Sequence, residues 1–449
     1  MREKMDNLID MLTERLEGRV DAFEIYVEHT EGVTVEARHR NVDSVKVTSS
    51  QGVGIRVIKD KRLGFGFSST FDEKALSALI EDVTDGIPSV SEDSALTLPS
   101  SVKTDVDAGS LGIFDDVVDF VDIEVHKDRA LKIEESAYAT DKRVNRVRKA
   151  AYGERRACFR TVNSTGVDVT VAATFCSGSV MAVATEDGDS QMGWWVEMSH
   201  RRDDVRAEEI GRKAATKAVE MLGAKEIKSG VYPVILENTV MADILGTLGG
   251  AFLASNTQRG KSMLADKRGK KVVSSVINIW DDGLLCGGWA TAPYDCEGVP
   301  RRKTPLVVEG VCEGFLYDTY HAKRENTQST GNAQRMGFLT TPTVGISNLY
   351  IEKGKTHLQE LVGSMKRGLV ITEVMGVHTI DTITGEFSLG AMGFLVEDGR
   401  LLHPVRGIAI AGTLLELLSK AVAVADDMYF IGPVGTPSVM FEELHISGM

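Results

Sequence analysis

No two of the nine histidines in this chain stand three to five residues apart. No helix can therefore present a zincin-type pair of imidazoles to one zinc ion. There is no GxSxG turn to expose a nucleophilic serine, no P-loop, and no GxGxxG between a strand and a helix. The signatures of α/β-hydrolases and of nucleotide binding are thereby missing. The five cysteines (Cys158, Cys176, Cys286, Cys296 and Cys312) form no CxxC, which fits free thiols in a reducing compartment. No apolar run reaches the roughly 18 residues that span a bilayer. The opening MREKMDNLIDML lacks the apolar core of a signal peptide. Positive charge is short as well: 51 Lys and Arg against 65 Asp and Glu give a net charge of −14. Phosphate contacts need basic residues in excess, so neither nucleic acid nor an anionic membrane is an expected partner. The cytoplasm is the expected location.

What is present is an ordinary globular composition, 43% hydrophobic and 26% charged over 449 residues. One core seldom serves more than about 250–300 residues, so two or three domains are expected. Met5, Leu8, Ile9, Leu12 and Leu16 share one helical face, and Gly18 follows as a stop. Strands are expected over 22–28, 33–39, 43–50, 52–59 and 62–68. The period-two patterns EIYVE and SVKVTSS suit a half-buried antiparallel sheet. Asp72 can cap a helix reaching Thr84. Residues 87–112 read as a long surface connection, 115–142 as a charged helix, 144–200 as strands and 206–222 as a helix closed by Gly223.

Glycine is denser after Gly230, and short strands and turns dominate. The domain boundary is placed at about 222–230. The expected fold class is α+β. Residues 1–225 form a mixed α/β N-terminal region with an antiparallel sheet and long helices, and residues 226–449 a β-rich C-terminal domain. The first part reads as one unit or as two subregions, 1–86 and 113–225, joined by the connection. A strand over 232–236 is followed by a helix that Asn238 or Thr239 can cap, with Val240, Ile244, Leu248 and Phe252 every four residues. Gly246, Gly249 and Gly250 inside that helix each cost roughly 1 kcal/mol against Ala, so close packing is expected to compensate. Further helices are expected near 357–365 and 413–424.

Several groups are candidates for chemistry. His321, His378 and His403, with Glu373 or Asp381, could converge on a metal, although scattered histidines are the plainer reading. Asp281-Asp282 could bind a hard cation, but before a glycine they read as a turn. The run Lys267-Arg268-Gly269-Lys270-Lys271 reads as a solvated turn or as a docking surface for an acidic partner. None of Cys286, Cys296 and Cys312 has an adjacent histidine or basic cluster that would activate it. Two polar, small-residue stretches could hold a peptide or an interface. One is Ser329, Thr330, Gly331 and Asn332. The other is Thr384, Gly385, Glu386, Ser388 and Gly390, within the glycine-rich segment 375–399 that admits close backbone approach.

Taken together, the early strands at 41–57, the helix at 127–143, DCEGVP at 295–300, STGNAQR at 329–335, TGEFSLGAMGF at 384–394 and GTPS at 435–438 resemble the TldD/PmbA family. Its members have been described as modulators of DNA gyrase. The resemblance implies two branches. TldD-like chains carry a HExxxH helix and a late cysteine that bind zinc. PmbA chains, also called TldE, lack those ligands and pair with a TldD-like chain. Here the matching helix, residues 240–254, has neither histidine nor glutamate, and the stretch 426–437 has no cysteine. The resemblance therefore places this chain in the second branch, with no catalytic residue to carry over and no metal on this chain. It implies a subunit of a cytoplasmic two-component zinc metalloprotease acting on unfolded or extended peptides. Zinc is expected on the TldD-like partner, with a homodimer when that partner is absent. The alternatives are a stand-alone hydrolase with an unrecognised site, or a non-enzymatic regulator of a large partner such as DNA gyrase.

Overall fold

The computed structural model describes residues 2–120 and 122–448; Met1, Val121 and Met449 lie outside the described residues. Helix α1 (Arg2–Leu16) buries Met5, Leu8, Ile9, Leu12 and Leu16 and stops before Gly18, whose φ is +72°. Strands β1 (Ala22–Arg38), β2 (Asn41–Lys59) and β3 (Arg62–Ser68) follow, then α2 (Glu73–Asp85). Asp72 caps α2 by accepting from the Ala75 amide at 3.0 Å. Next come α3 (Ile123–Thr140), β4 (Val144–Asn163), β5 (Asp168–Glu186), β6 (Asp189–Ser199) and α4 (Ala207–Glu220). The six strands make one antiparallel sheet in the order β3-β2-β1-β4-β5-β6. The two proposed subregions thus share a sheet, joined where β1 pairs with β4.

Four expected strands are in fact two long ones. The predicted breaks fall inside continuous pairing, with Gly32 opposite both Thr48 and Arg155. Gly52 marks a close contact and not a turn, since a Cβ there would stand 2.4 Å from the Phe338 ring. The half-buried expectation also fails, in opposite directions. Glu24, Ile25, Tyr26 and Val27 are all buried, because helices cover one face and C-terminal loops the other; Ser44–Ser50 is exposed throughout. Alternation identifies which residues share a face, not what covers it. The charged helix begins at Ile123, capped by Asp122, and not at 115.

Along one face of the sheet, α1 and α2 pack on Ile25, Val27, Ile55 and Val57. Further along, α3 and α4 pack on Val35, Val147, Ala182 and Trp195. Beneath α3, Glu154 is a buried anion. Arg202 grips it through Nε (2.7 Å) and Nη2 (2.8 Å), and the Tyr152 hydroxyl donates at 2.6 Å. Burial pushes this carboxyl up, but hydrogen bonds from Arg202, His126 and Tyr152 outweigh it and hold it down at about 2. A depressed folded-state value stabilises the native state above the unfolded value and is lost as pH falls through the folded one. Thermal midpoints are therefore expected to fall between pH 4.5 and about 2, with a shallower fall in Glu154→Gln.

The connection over 87–112 is strapped to both halves of the chain. Pro99 O accepts from Asn163 Nδ2 (2.9 Å), the Thr104 amide donates to the Tyr294 hydroxyl (3.2 Å), and Tyr320 OH donates to Asp93 Oδ2 (2.7 Å).

The C-terminal part runs β7 (Gly230–Leu236), α5 (Asn238–Gly249), α6 (Ala254–Thr257), β8 (Ile279–Asp282), β9 (Lys303–Val308), β10 (Val311–Cys312), α7 (Thr319–Arg324), β11 (Ala333–Gln334), β12 (Thr343–Val344) and β13 (Leu349–Ile351). It continues with α8 (Leu358–Ser364), β14 (Arg367–Met375), β15 (Glu386–Glu397), β16 (Arg400–Thr413), α9 (Leu414–Ser419), β17 (Ala421–Val424), β18 (Tyr429–Ile431), β19 (Val434–Thr436) and β20 (Val439–Ser447). One sheet is ordered β16-β15-β14-β7-β20-β17, and β16 also pairs with β20, so five of its strands close on themselves. A second is ordered β10-β9-β8-β13-β19-β18. The fold is mixed α+β with a β-rich C-terminal region.

Helix α5 lies between these two sheets, burying Val240, Met241, Ile244, Leu245 and Leu248 in the main core. Its cap differs from expectation: Glu237 is the N-cap residue and makes no side-chain cap bond. The Asn238 side chain instead donates from Nδ2 to Asp427 O at 2.9 Å, its backbone N–H donates to Ser438 Oγ at 3.1 Å, and Thr239 Oγ1 donates to Glu237 Oε2 at 3.4 Å. Of the three glycines, Gly249 is the one that packing demands, with Leu349 2.9 Å from where a Cβ would stand. The helix expected over 413–424 ends at Ser419, because the alternating AVAV that follows pairs with β20.

Four buried charges tie the N-terminal sheet to the C-terminal part. Arg56 Nη2 donates to Glu24 Oε2 (2.6 Å) and Glu297 Oε1 (2.9 Å), and Arg335 also pairs with Glu24. None of the four side chains is more than 8% exposed.

Candidate functional site

A cleft of about 560 Å³ opens between the N-terminal helix α4 with strand β6 and the C-terminal strand β14 with helix α8. A β-bulge shapes its C-terminal wall. Ile371 lies opposite Gly393, but Glu373 lies opposite Met392, leaving Thr372 as the extra residue. Such an insertion reverses the alternation beyond it. Val370, Thr372 and Glu373 consequently all line the cleft, with Phe394 beside them. Position 393 must be glycine, since a Cβ would stand 1.9 Å from Val370 O. The opposite wall is Met192, Gly193 and Trp194 of β6 with Lys217, Glu220 and Met221 at the end of α4. A Cβ on Gly193 would stand 2.2 Å from Ala214 O, so α4 lies directly on the strand. Leu358 and Val362 of α8 and the turn Gly399, Arg400 and Leu401 complete the lining. Glu237, the N-cap of α5, stands at the same cleft.

The charges are unevenly matched. Lys217 Nζ is 2.7 Å from Glu237 Oε2. Glu220 and Glu373 make no ion pair or hydrogen bond among the described residues. Burial pushes the Glu373 carboxyl above its ordinary range, the Lys217 ammonium draws it back, and Asp243 adds to the rise. Burial also raises Glu220, helped by Glu237.

The sequence candidates fall elsewhere. Ser329, Thr330, Gly331 and Asn332 form a tightly bonded loop. Thr330 Oγ1 donates to Asn332 Oδ1 (2.6 Å) or Tyr317 O (3.1 Å), and Asn332 Nδ2 donates to Asp281 Oδ1 (2.7 Å) and Gly345 O (3.1 Å). Ser329 Oγ donates to Tyr317 O at 3.0 Å and accepts from the Gly331 amide. Asp281, read from sequence as part of a turn, lies inside strand β8, paired on both sides with Leu349 and Thr304, and is wholly buried. It also accepts from the Ser347 amide at 2.6 Å and from the Ser347 hydroxyl. Burial raises its carboxyl above the ordinary value against the pull of those donors.

Thr384 and Gly385 close the loop before β15, where the Leu414 amide donates to Gly385 O at 2.9 Å. Glu386 and Ser388 project, exposed, from β15, and Gly390 sits half-buried opposite Met375 and Ala409. None of these nine residues lines the cleft, although Phe394 of the same glycine-rich segment does. His321 pairs with Asp318 at 2.7 Å, His403 Nδ1 lies 3.0 Å from Pro404 O, and His378 is exposed after β14. No group of three or more His, Cys, Asp or Glu side chains placed to hold a metal occurs among the described residues. Helix α5 offers Asp243 and no other acid, histidine or cysteine, so its donor set does not suit zinc. The basic run 267–271 is exposed, with Arg268 Nε donating to Glu313 O. No helix among the described residues is long and apolar enough to cross a membrane.

Sequence reasoning missed Trp194, Lys217, Glu220 and Glu237. The available signal was Gly393, a small residue in β15 opposite the point in β14 where alternation breaks at Thr372-Glu373.

Three family models cover the chain in register with these parts: PmbA/TldA metallopeptidase domain 1 over 23–86, the central domain over 117–222 and the C-terminal domain over 229–448. The architecture is that of a metallopeptidase-type chain with a β-rich C-terminal region. The chain belongs to the PmbA/TldD family. It is 26% identical to Metalloprotease PmbA of Escherichia coli O157:H7, over all of this chain and 97% of that one. It is 23% identical to the Metalloprotease TldD homolog of Haemophilus influenzae, over 98% and 95% of the two chains. Among solved structures, TldE from Thermococcus kodakarensis superposes with a TM-score of 0.88 at 26% identity, over 99% of this chain and 100% of that one. A Thermotoga maritima protein described as a candidate modulator of a DNA gyrase superposes with a TM-score of 0.89 at 28% identity, over 99% and 100%.

Proposed function

We propose that this chain is the PmbA/TldE-like subunit of a cytoplasmic two-component zinc metalloprotease that acts on unfolded or extended peptides. The observation that carries this reading is a family member whose α5 offers neither histidine nor glutamate. The metal and the general base then belong to a TldD-like partner, and this chain contributes surface. An extended peptide held by strand addition, through main-chain hydrogen bonds with little side-chain selectivity, needs an open edge; β14 and β15 are paired on both sides, whereas β6, which lines the cleft, is an edge strand. The cleft at the N-terminus of α5 places a concave surface beside that edge. Without its partner the chain is expected to dimerise through the same surface.

The test mixes this chain with a TldD-like chain and follows cleavage of an unfolded polypeptide. The chain alone is expected to retain no zinc and to cleave nothing. The pair is expected to exceed either chain alone by about 100-fold or more, the scale of assembling a site from its parts. About one zinc per isolated chain, or cleavage by this chain alone, would overturn the assignment.

A further inference from the structure

The cleft between β6–α4 and β14–α8 has the composition of a ligand site: a concave, largely apolar wall with few converging charges. Its apolar surface comes from Met192, Trp194, Met221, Val362, Val370 and Phe394. Three carboxylates, Glu220, Glu237 and Glu373, face two cations, Lys217 and Arg400. Glu237 already holds Lys217 at 2.7 Å. Arg400 stands on the exposed β15–β16 turn and makes no ion pair among the described residues. Two carboxylates therefore face the cleft without an ion pair of their own, Glu373 half-buried and Glu220 exposed at the rim, and leaving a partly buried carboxylate such as Glu373 unpaired is unfavourable. A cation entering the cleft relieves that cost and gains the apolar wall at the same time.

We infer that the cleft binds the amino terminus of a peptide whose first side chain is apolar, with the α-ammonium between Glu220 and Glu373. This occupant satisfies each part of the site. An α-ammonium is a compact three-donor cation, charged at neutral pH. The first side chain lies on Trp194, Met221 and Phe394. The first carbonyl is an acceptor for the unpaired guanidinium of Arg400. The raised carboxyls of Glu220 and Glu373 are consistent with sites that lack their counter-charge in the free chain. The bulge at Thr372 brings Glu373 onto this wall, so the recognition element is built into the sheet. The inference rests on the reading of this chain as a peptide-holding subunit and gives that role a chemical selectivity.

The test uses the full chain without any partner, and calorimetric titration of Phe-Ala-Ala amide and of its N-acetylated form. The free amine is expected to bind saturably, and acetylation to weaken binding at least about tenfold, equivalent to 1.4 kcal/mol. Glu220→Gln and Glu373→Gln are each expected to weaken the free amine by a similar factor and leave the acetylated peptide unaffected. Both are isosteric changes at partly solvated positions, and an unchanged thermal midpoint verifies their folding. Equal binding of the two peptides, unaltered binding by both variants, or no saturable binding would overturn the inference. Cleavage by the mixed chains is a separate readout, so this inference can fail while the two-component reading stands.

Discussion

Replacing Arg56 with methionine is expected to lower the free energy of unfolding by about 3–5 kcal/mol, the cost of leaving buried charge without its partner. Arg56 lies between Glu24 and Glu297, whose side chains are 0% and 1% exposed. Its loss leaves Arg335 as the one guanidinium against two buried carboxylates, and Arg335 pairs with Glu24 alone. Glu297 keeps only its backbone contact, the Thr319 amide at 3.0 Å. Chemical denaturation of Arg56→Met and of Arg62→Met provides the comparison. Arg62 pairs with Glu92 at the surface, where an ion pair contributes about 0–1 kcal/mol. A loss below about 1 kcal/mol in Arg56→Met would show that the charges are not jointly buried.

The second large effect is expected at Asp281. Its carboxylate accepts from the Ser347 amide, the Ser347 hydroxyl and the Asn332 side chain. Asp281→Ala leaves three buried donors unmet, each costing about 1–3 kcal/mol, so a loss of about 3 kcal/mol or more is expected. Asp282→Ala, which removes the acceptor for the Leu284 amide alone, is expected to cost about 1 kcal/mol. Amide exchange should localise the first effect to 329–333 and 345–348, which share the network. Equal losses in the two variants would refute that account.

These two sites also show what was legible in the sequence. Helix α1, the Asp72 cap, strand β3 and helix α4 were readable, because local periodicity and punctuation determine them. The family was readable from separated motifs. The role of Asp281 was not: a DDG triplet has turn composition, and only burial against Asn332 and Ser347, some 50 and 66 residues away, makes it an anchor. The cleft was half readable. Its glycine-rich wall attracted notice, while Lys217 and Glu220 sit on a helix whose pattern reports which face is apolar and not what its end meets. Glu373 was noticed as a metal ligand, but the bulge that aims it appears only when β14 is laid against β15.

The sheet that joins the first two family segments has an evolutionary consequence. β1 pairs with β4 from Glu24 opposite Asn163 to Ala37 opposite Ala150. The segments at 23–86 and 117–222 therefore meet along a backbone seam in the middle of a single sheet. A recombination that imports one segment from a distant relative must preserve the register of that entire seam, whereas an insertion in the 87–112 connection leaves it untouched. Exchange of either segment alone is thus expected to destabilise the chain more than a change of length in the strap between them.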